Sequence, residues 1–421
     1  MYLWYKFFTY LFYPFAGIYL QLRKLNKKED AIRYKEKLSK ISIPRENGFL
    51  IWFHVASVGE AMSILPIVEE FIEEKKVNKI LLTSITLSSG KILEKKYREN
   101  KKVLHQFLPL DVPILTRKFL DHWRPNLSIF IDSEVWPNLI LQISEKKIPL
   151  ILINARITER SFKRWKKLKS FSKKIFEKFN LCLTSNNESE EFLKILGAKN
   201  IKNYGNLKFS QTKKNIDNKL NQDFLNRIKN RMVWCAASTH PDEEILCAKV
   251  HLNIKKSIKN ILTIIIPRHI DRAEIINSEL SNLNLKVAFY SDISKINEET
   301  DIIIVDSYGE SLKFYNISKN VFVGKSLAKN LATNSGQNPI EPARLGCKIF
   351  HGPNISNFKE IYSFLKTIKA TKEVKNLEEL SLSLVEEFRD GKEKNDEIST
   401  KLQNYGQNIF NNVIIELKKY I

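Results

Sequence analysis

The sequence contains only four cysteines among its 421 residues, and their distribution limits what the chain can be. No two of them form a C-x-x-C pair, and each lies in or beside an apolar or helix-like stretch. We therefore expect buried thiols in a reducing cytoplasm. The histidines show no ligand spacing either, so we expect no metal ion and no other cofactor. The cysteines are Cys182, Cys235, Cys247 and Cys347.

Motifs of several large protein classes are also missing. No G-x-G-x-x-G follows the first strand-like segment, which argues against a nicotinamide-dependent enzyme, and no G-x-x-x-x-G-K-[ST] loop is present, which argues against a nucleoside triphosphatase. No small-residue cleavage site follows the apolar N-terminal stretch, so we expect no removed signal peptide. No internal repeat of roughly 20 to 50 residues is found.

The balance of charge is strongly positive. Lysine and arginine exceed aspartate and glutamate by 69 to 47, which gives a formal net charge of +22. This excess favours an anionic partner: nucleic acid, a phospholipid surface or a phosphorylated substrate. The apolar fraction of 43% suits globular cores, and the length allows about two to three domains.

The N-terminus has no charged residue from 7 to 22 and is rich in Phe and Tyr, and a basic stretch follows at 23–28. Sixteen residues are fewer than the ~20 that a membrane-spanning helix needs, and Lys6 and Pro14 interrupt a longer run. Aromatic residues beside cations favour the membrane interface, so we predict that residues 1–22 anchor the chain on the cytoplasmic face of a membrane, which the family resemblance described below implies to be the inner membrane. The alternative is a helix whose aromatic face packs on the protein itself. The sequence does not decide whether this segment spans the bilayer or lies on it.

Short apolar runs alternate with charged stretches of helical length, the βαβ pattern of a parallel sheet. A polar stretch at 211–222 separates two such series, so we predict two α/β domains, 23–210 and 211–421. The first series of strands is predicted at 49–55, 79–85, 104–109, 127–132, 149–153 and 181–184, and the second at 232–237, 261–266, 285–290, 302–305, 321–323 and 348–351.

Residues 159–179 form a candidate basic helix. Phe162, Trp165, Leu168, Phe171, Ile175 and Phe179 would share one side of it, and Arg160, Lys163, Arg164, Lys166, Lys167, Lys173 and Lys174 would cover the rest. This surface could contact lipid head groups or substrate phosphates, or it could be an ordinary solvated face.

Glu60 is the most informative single residue. It belongs to the segment 54–60 (HVASVGE), on the turn between a predicted strand at 49–55 and a predicted helix at 61–74. Open α/β sheets bind ligands at this end of their strands, where a carboxylate can act as a general base. A second interpretation is structural, because Ser57 and Glu60 also fit the Ser-x-x-Glu capping box.

We expect the segments 83–86 (TSIT) and 131–138 (IDSEVWPN) to lie at this same carboxyl edge of the sheet. Asp132 and Glu134 in the second segment could suggest a metal site like that of Asp-x-Asp glycosyltransferases. No further hard ligand lies nearby, and Pro137 indicates an immediate helix start. A role in positioning cationic groups or bracing Glu60 is therefore favoured.

In the second half, Gly324-Lys325-Ser326 follows an apolar strand, and Asn338, Pro339 and Glu341 form a well-capped helix start. Glycine-containing turns at helix N-termini can leave amides free for an anion, so we predict a phosphate site here. The segments 267–269 (PRH) and 306–311 (DSYGES) close other strands at the same edge.

In the segments described above, the chain resembles the 3-deoxy-D-manno-octulosonic acid (Kdo) transferases of lipopolysaccharide and lipid A assembly. The similarity covers nearly the whole chain, from the aromatic N-terminus to about residue 362. The matching stretches are IWFHVASVGE, FLPLDVP, DSEVWPN, INARITERS, YGNLKF, ASTHPDEE, IPRHIDR, GESLKFY, VFVGKSL and QNPIEPARLG, in family order.

The resemblance implies an α/β fold of the GT-B type, with two Rossmann-like domains facing across a cleft. It also implies an inverting glycosyltransferase that moves Kdo from CMP-Kdo to the 6′-hydroxyl of a lipid A precursor, lipid IVA. The N-terminal domain would bind the acceptor and the C-terminal domain would bind CMP-Kdo.

The resemblance also implies roles for individual residues. Glu60 corresponds to the family's general base, and Asp132, Glu134 and Lys208 correspond to groups that steady charge in the transition state, with the lysine near the leaving phosphate. Donor contacts are implied for Arg268, His269, Gly309, Glu310, Ser311, Ser335, Gly336, Gln337 and Asn338, and Glu341 would hold the ribose hydroxyls.

Three positions depart from the family pattern. Asp132 replaces a glutamate, Lys325 stands where a second glycine is common, and Ser335-Gly336-Gln337 replaces Gly-Gly-His. The last two put the details of the contact with the donor phosphate in question, and Lys325 could itself supply a cation there.

Two other functions are compatible with parts of the sequence. One keeps the fold but uses another nucleotide sugar, for example a UDP-sugar, and another membrane lipid. The other is a basic membrane or nucleic-acid binding module, which rests on charge alone and leaves the carboxylates at the strand ends without a purpose. We expect CMP-Kdo, a lipid A precursor and the membrane surface as partners, and no nucleic acid.

Overall fold

The computed structural model describes residues 1–210, 219–328, 335–391 and 394–421. Contacts divide the chain into two compact units: unit 1 comprises Met1–Thr212 with Tyr405–Ile421, and unit 2 comprises Lys213–Asn404. Each unit is built around one seven-stranded sheet in which the paired strands are parallel. The predicted fold class, α/β with two Rossmann-like domains of the GT-B type, is confirmed.

The sheet of unit 1 contains β1 (Phe49–Val55), β2 (Val77–Ser84), β3 (Val103–Phe107), β4 (Leu127–Ile131), β5 (Leu150–Ala155), β6 (Leu181–Thr184) and β7 (Ile201–Asn203), in the spatial order β3-β2-β1-β4-β5-β6-β7. Its central strands are apolar runs because helices cover both faces of a parallel sheet. Trp52 of β1, for example, packs in the core against Phe119 and Phe130, with ring centroids 4.9 and 5.1 Å away.

The helices of unit 1 are α1 (Tyr2–Phe12), α2 (Ala16–Leu25), α3 (Val58–Glu73), α4 (Leu87–Tyr97), α5 (Pro113–Trp123), α6 (Pro137–Glu145), α7 (Glu159–Lys167), α8 (Lys169–Phe176) and α9 (Asn187–Leu196), with 3₁₀ turns at Tyr13–Phe15, Arg33–Leu38 and Leu207–Ser210. Among all described helices, none is both long and apolar enough to cross a membrane.

The sheet of unit 2 contains β8 (Met232–Thr239), β9 (Ile261–Pro267), β10 (Val287–Phe289), β11 (Ile302–Ile304), β12 (Asn320–Val323), β13 (Lys348–His351) and β14 (Thr371–Glu373), in the order β10-β11-β9-β8-β12-β13-β14. Its helices are α10 (Gln222–Arg227), α11 (Glu243–Lys255), α12 (Ala273–Ser281), α13 (Ser311–Ile317), α14 (Ile340–Arg344), α15 (Lys359–Thr367) and α16 (Leu377–Arg389), with 3₁₀ turns at Ile270–Arg272 and Ile293–Lys295. The last helix, α17 (Asp396–Lys418), begins in unit 2 and ends in unit 1.

Both sheets have a point at which the chain order reverses. In unit 1 it lies between β1 and β4, and in unit 2 it lies between β8 and β12. Ligands of open α/β sheets bind outside the carboxyl ends of the strands at such points. The loops after these four strands are therefore where the functional groups should be sought.

The C-terminal residues 405–421 belong to unit 1, whereas the sequence assigned them to the second domain. Tyr405 packs edge-on against Phe209, with ring centroids 5.1 Å apart. Glu416 accepts hydrogen bonds from Lys202 at 2.8 Å and Tyr204 at 3.1 Å. These contacts are distant in sequence, so the periodicity of α17 could not reveal them.

The predicted basic helix at 159–179 is two helices. The chain breaks at Leu168, where φ is −110° and ψ is 45°. The predicted apolar side packs into the core of unit 1, with Phe162, Phe171, Ile175 and Phe179 buried and Trp165 and Leu168 partly buried. The seven predicted cations are all exposed: Arg160, Lys163, Arg164, Lys166, Lys167, Lys173 and Lys174.

Two short strands were not predicted, β7 and β14. Their sequences, IKN and TKE, carry no apolar run, and each lies at the edge of its sheet. Edge strands need little apolar surface because one side of them faces solvent, so hydrophobic pattern alone could not find them.

Candidate active site

Glu60 lies in the first turn of α3, directly after the carboxyl end of β1. Ser57 is the N-cap residue, and its Oγ accepts a hydrogen bond from the Glu60 amide at 3.3 Å. The Glu60 carboxylate accepts from the amide of Ala56 at 2.7 Å and from the Ser57 hydroxyl at 2.9 Å. The predicted cap is therefore present. A carboxylate has about four lone-pair positions, so two such bonds leave room for a substrate hydroxyl.

The surroundings of Glu60 favour a proton-accepting carboxylate near neutral pH. Burial raises its pKa to about 7, against the opposing effect of the Ala56 amide. The negative charges of Asp132 and Glu134 raise the pKa further. A general base is most effective when its pKa lies near the working pH, so Glu60 has the electrostatic character that this role requires.

Asp132 follows β4 with a left-handed backbone, φ 57°. Its Oδ1 accepts a hydrogen bond from Asn154 Nδ2 at 2.5 Å. Burial raises the pKa of Asp132, while the charge of Lys208, the Asn154 bond and the charge of Arg156 act in the opposite direction. Asn154 also accepts from the Leu207 amide at 2.9 Å, which ties the segment of Lys208 to this carboxylate.

Glu134 is held by two side chains: His54 Nε2 lies 3.1 Å and Trp136 Nε1 lies 2.8 Å from its Oε2. His54 Nδ1 lies 2.9 Å from the Thr83 hydroxyl, to which Trp52 Nε1 donates at 2.8 Å. Because a carboxylate only accepts, this network assigns the proton of a neutral His54 to Nε2, with Nδ1 accepting from Thr83. The orientation of the Glu134 carboxylate is therefore fixed by Trp136 and by His54, which is itself held by Thr83 in the core.

The structure thus brings the catalytic residues predicted in the first half to one edge of the sheet. Glu60 follows β1, Asp132 and Glu134 follow β4, and Lys208 interacts electrostatically with Asp132. The arrangement places a carboxyl group with an elevated pKa beside two further carboxylates and a cation. Within the described residues, no group of three or more His, Cys, Asp or Glu side chains could hold a metal ion.

Sequence reasoning missed three side chains of this site, His54, Asn154 and Arg156. Thr83 belongs to the segment 83–86 that was predicted at this edge, but its bond to His54 was not predicted. The sequence does contain a signal for them, because a polar residue inside a buried parallel strand needs a hydrogen-bond partner and so indicates a polar network. His54 and Thr83 lie in β1 and β2, and Asn154 lies in β5. Their partners could not be read from the sequence, since each bond joins segments at least 22 residues apart.

In unit 2, Arg268 and His269 follow β9, and both are exposed. The Arg268 amide donates to the carbonyl of Thr239 at 3.0 Å, which joins this turn to the end of β8. The His269 ring contacts the His240 ring edge-on, with centroids 6.0 Å apart, and burial lowers the pKa of His240. These side chains lie at the carboxyl edge beside the reversal point, as their sequence positions predict.

Gly309, Glu310 and Ser311 surround the start of α13. Gly309 has φ of 88°, a conformation that residues other than glycine adopt with strain. Among the residues that the structure describes, its two neighbours in the chain aside, no atom lies within 4 Å of where its Cβ would be. Glu310 forms an ion pair with Lys313 at 2.8 Å. The backbone at Gly309 is therefore open to a ligand.

Ser335, Gly336 and Gln337 lie beside the loop that follows β12. Ser335 is buried, with its hydroxyl 3.1 Å from that of Ser356. The Gly336 amide donates to the Lys325 carbonyl at 2.6 Å, with φ of 83° at the glycine. The carbonyl of Gln337 accepts from Tyr362 at 3.2 Å.

The helix start predicted at Pro339 occurs one residue later. Asn338 Oδ1 accepts from the Ile340 amide at 3.1 Å, but α14 begins at Ile340 and Pro339 is its N-cap residue. Glu341 lies in the first turn, as predicted.

Glu243 is a fully buried carboxylate that the sequence did not single out. Its Oε2 accepts from the amides of His240 at 3.1 Å and Lys325 at 2.6 Å, and its Oε1 accepts from those of Ser326 at 2.9 Å and Leu327 at 3.0 Å. The expectation that amides after β12 are free for a phosphate is therefore not met at these three positions, because an internal carboxylate already occupies them.

Comparison with protein families gives one clear match. A profile of the family described as 3-deoxy-D-manno-octulosonic-acid transferase (kdotransferase) matches residues 32–211. A 3-deoxy-D-manno-octulosonic acid transferase of Rickettsia bellii is 34% identical over 406 residues, which cover 96% of this chain and 93% of that protein. A transferase of the same name from Haemophilus influenzae is 29% identical over 383 residues, covering 87% and 86%.

Solved structures resemble the fold. UDP-GlcNAc 2-epimerase from Neisseria meningitidis, bound to UDP-GlcNAc, superposes with a TM-score of 0.59 at 12% identity, covering 88% of this chain and all of that chain. Anabaena Alr3699/HepE, in complex with UDP, gives 0.56 at 11% identity, covering 89% and 100%. At such identities the likeness concerns the fold alone.

Proposed function

The chain belongs to the family of 3-deoxy-D-manno-octulosonic acid (Kdo) transferases, and on this basis we propose that it transfers Kdo from CMP-Kdo to the 6′-hydroxyl of the lipid A precursor lipid IVA. It is a glycosyltransferase, and the family match supports Kdo as the transferred sugar. We propose the donor nucleotide, the acceptor and the roles of the individual residues.

The observation that carries the proposal is the raised pKa of the Glu60 carboxyl group. Burial and two neighbouring carboxylates raise its pKa to about 7, and it lies at the reversal point of the sheet of unit 1. In the proposed step Glu60 takes the proton of the acceptor hydroxyl, whose oxygen bonds to the anomeric carbon of Kdo. The bond from that carbon to the phosphate oxygen breaks, and CMP leaves with the electron pair. A single displacement inverts the anomeric centre.

Asp132, Glu134 and Lys208 complete the catalytic group in this proposal. The acidic pair keeps the pKa of Glu60 high, and Glu134 is oriented by His54 and Trp136. Lys208, whose charge acts on Asp132, would stabilise the negative charge that develops on the leaving phosphate.

We assign CMP-Kdo binding to the carboxyl edge of unit 2. The exposed side chains of Arg268 and His269 suit the phosphate and the Kdo carboxylate, and the open backbone at Gly309 suits close approach of a ligand. Further donor contacts are proposed for Glu310, Ser311, Ser335, Gly336, Gln337 and Asn338, and Glu341 is proposed to bind the ribose hydroxyls.

The surface of the N-terminal helices supports attachment to the cytoplasmic face of the inner membrane. Leu3, Trp4, Phe7, Phe8, Leu11, Phe15, Ile18 and Leu22 are exposed, each by more than half of its area. Helix α1 lies beside the basic helix α8, since Tyr2 stacks on Phe171 and Lys174 lies over the Tyr2 ring at 4.8 Å. Apolar side chains next to exposed cations are what an anionic bilayer surface binds.

The proposal is tested by incubating the purified protein with CMP-Kdo and a tetraacylated disaccharide bisphosphate, with products weighed by mass spectrometry. We expect a mass increase of one or more Kdo units, which also gives the number of transfers. The Glu60→Gln protein should form product at least ~100-fold more slowly, because the base is lost. Normal turnover by this variant would contradict the assignment of Glu60.

A second measurement tests the donor alone. CMP should raise the unfolding temperature of the wild-type protein more than UDP does, since only a bound nucleotide stabilises the folded state. Arg268→Ala should reduce this protection, whereas Arg160→Ala, on a helix of the other unit, should not. Equal or stronger protection by UDP would favour a UDP-sugar donor.

A further inference from the structure

Asp111 is a buried carboxylate that the proposed chemistry does not use. It follows β3 in the stretch FLPLDVP. Its Oδ2 accepts from the Asn138 amide at 3.0 Å and from the Tyr5 hydroxyl at 2.8 Å, and its Oδ1 accepts from the Leu139 amide at 2.9 Å. One side chain therefore joins three segments: the loop after β3, helix α6 and helix α1.

Helix α6 needs such a partner because its own sequence supplies none. Trp136 is its N-cap residue and makes no side-chain cap, and Pro137 occupies the first helical position. The next two amides, of Asn138 and Leu139, would otherwise be buried without acceptors. The Asp111 carboxylate caps them from a distant segment, and its negative charge suits the positive end of the helix dipole.

Helix α1 is attached to this cap at two places one turn apart. Tyr5 donates to Asp111, and Thr9 Oγ1 accepts from Asn138 Nδ2 at 3.0 Å. Asn138 is itself fully buried. On the outer side of the same helix, Trp4 and Phe8 are 62% and 59% exposed. One helix thus carries a polar attachment on its inner side and an aromatic surface on its outer side.

The N-cap residue of α6 also contacts an acidic residue of the candidate site. Trp136, immediately before α6, donates its indole N–H to Glu134. We propose that Tyr5 and Asp111 are positioning residues that fasten α1 to the start of α6 and so hold the loop 132–136, with Glu134, in place. The importance of that loop for catalysis rests on the proposed function. A disturbance of α1 should therefore change the order of this loop and the rate of transfer.

The test uses Tyr5→Phe, which removes one hydroxyl and keeps the ring that packs on Phe171 at a centroid distance of 6.0 Å. Hydrogen exchange of peptides covering 132–143 and steady-state kinetics are measured on the same full-length protein. We expect severalfold faster exchange in these peptides and kcat lower by about tenfold, with KM for CMP-Kdo unchanged, because small misplacements of catalytic groups are costly. Asp111→Asn should have the same effects and larger ones, because it also disturbs the cap of α6. Adding Tyr5→Phe to it should change little more, because the Tyr5 hydroxyl then no longer has a carboxylate to donate to.

Tyr10→Phe is the matched control. Tyr10 lies on the same helix and is 45% exposed, and its side-chain hydroxyl has no hydrogen-bond partner among the described residues. Unchanged exchange at 132–143 in Tyr5→Phe, or an equal change in Tyr10→Phe, would overturn the inference. If exchange rises as expected but the wild-type protein transfers no Kdo, the coupling stands and the proposed function alone fails.

Discussion

Ser57 and Glu60 hydrogen-bond each other in both directions. The Ser57 oxygen accepts from the Glu60 amide at 3.3 Å, and the Ser57 hydroxyl donates to the Glu60 carboxylate at 2.9 Å. The same pair therefore begins helix α3 and stabilises the ionised form of the candidate base. Capping and catalysis, which are alternative interpretations of the sequence, are compatible in one geometry.

The first prediction concerns Ser57→Ala. The Ser57 hydroxyl holds the pKa of Glu60 down against burial, so its loss should move that pKa further above 7. The pH at which kcat/KM reaches half of its maximum should rise, with activity largely recovered at higher pH. Loss of the cap should also lower the free energy of unfolding by about 1 kcal/mol. The measurement is a pH profile from 5.5 to 9.5, roughly the range that the shifted base requires.

Ser57→Thr is the control for this profile, because it keeps the hydroxyl. Its half-maximal pH should match that of the wild-type protein. A profile of Ser57→Ala that also matches the wild type would show that this hydroxyl does not act on the group that controls the rate.

The second prediction concerns stability and follows from the direction of the same shift. Because the folded-state pKa of Glu60 is raised to about 7, the folded protein holds this proton more tightly than the unfolded chain. The stability associated with it is complete below the unfolded pKa and is lost as pH rises through about 7. Glu60→Gln cannot ionise, so its free energy of unfolding relative to the wild type should increase between pH 5 and 8 by about 1–3 kcal/mol.

Urea unfolding at the two pH values measures this difference. Glu69→Gln, in the same helix but outside the site, is the control for the substitution itself. A constant difference between Glu60→Gln and the wild-type protein would mean that Glu60 ionises in the folded state near its ordinary pKa.

The third prediction concerns the buried Glu243. Its four amide contacts join the turn at His240 to residues 325–327. In Glu243→Gln the amide nitrogen cannot accept, so buried N–H groups lose their partner. The free energy of unfolding should fall by about 2–4 kcal/mol. Glu274→Gln, at an exposed position of the same unit, should change it by less than about 1 kcal/mol. An effect of Glu243→Gln no larger than that of the control would contradict the assigned contacts.

The sequence predicted the strands of both sheets well where apolar runs mark them, as at β1 and β9, and it placed Glu60, Asp132 and Glu134 correctly after their strands. Parallel strands bury both faces, and this leaves a strong local signal. The signal is absent for β7 and β14, which are polar edge strands.

The supporting parts of the site could not be predicted for a different reason. His54 reaches Glu134 across 80 positions, and Asp111 caps a helix 27 positions away. These bonds satisfy buried polar groups through tertiary contacts, and no spacing rule connects their partners. The break at Leu168 and the assignment of α17 to both units likewise depend on packing rather than on local pattern.

The fourth prediction concerns the exposed face of α1. Trp4 is 62% exposed and stacks on Phe8 with ring centroids 6.2 Å apart, whereas Tyr5 on the inner side is bonded to Asp111. Trp4→Ser should therefore leave the folded protein intact and weaken binding to vesicles that contain anionic phospholipid by about tenfold, because an interfacial aromatic side chain contributes through its buried apolar area. Arg164→Ala should weaken binding less, and only at low salt, since exposed charges are screened. Sedimentation with vesicles at two salt concentrations measures both effects. Binding of Trp4→Ser equal to that of the wild-type protein would show that this face does not contact the bilayer.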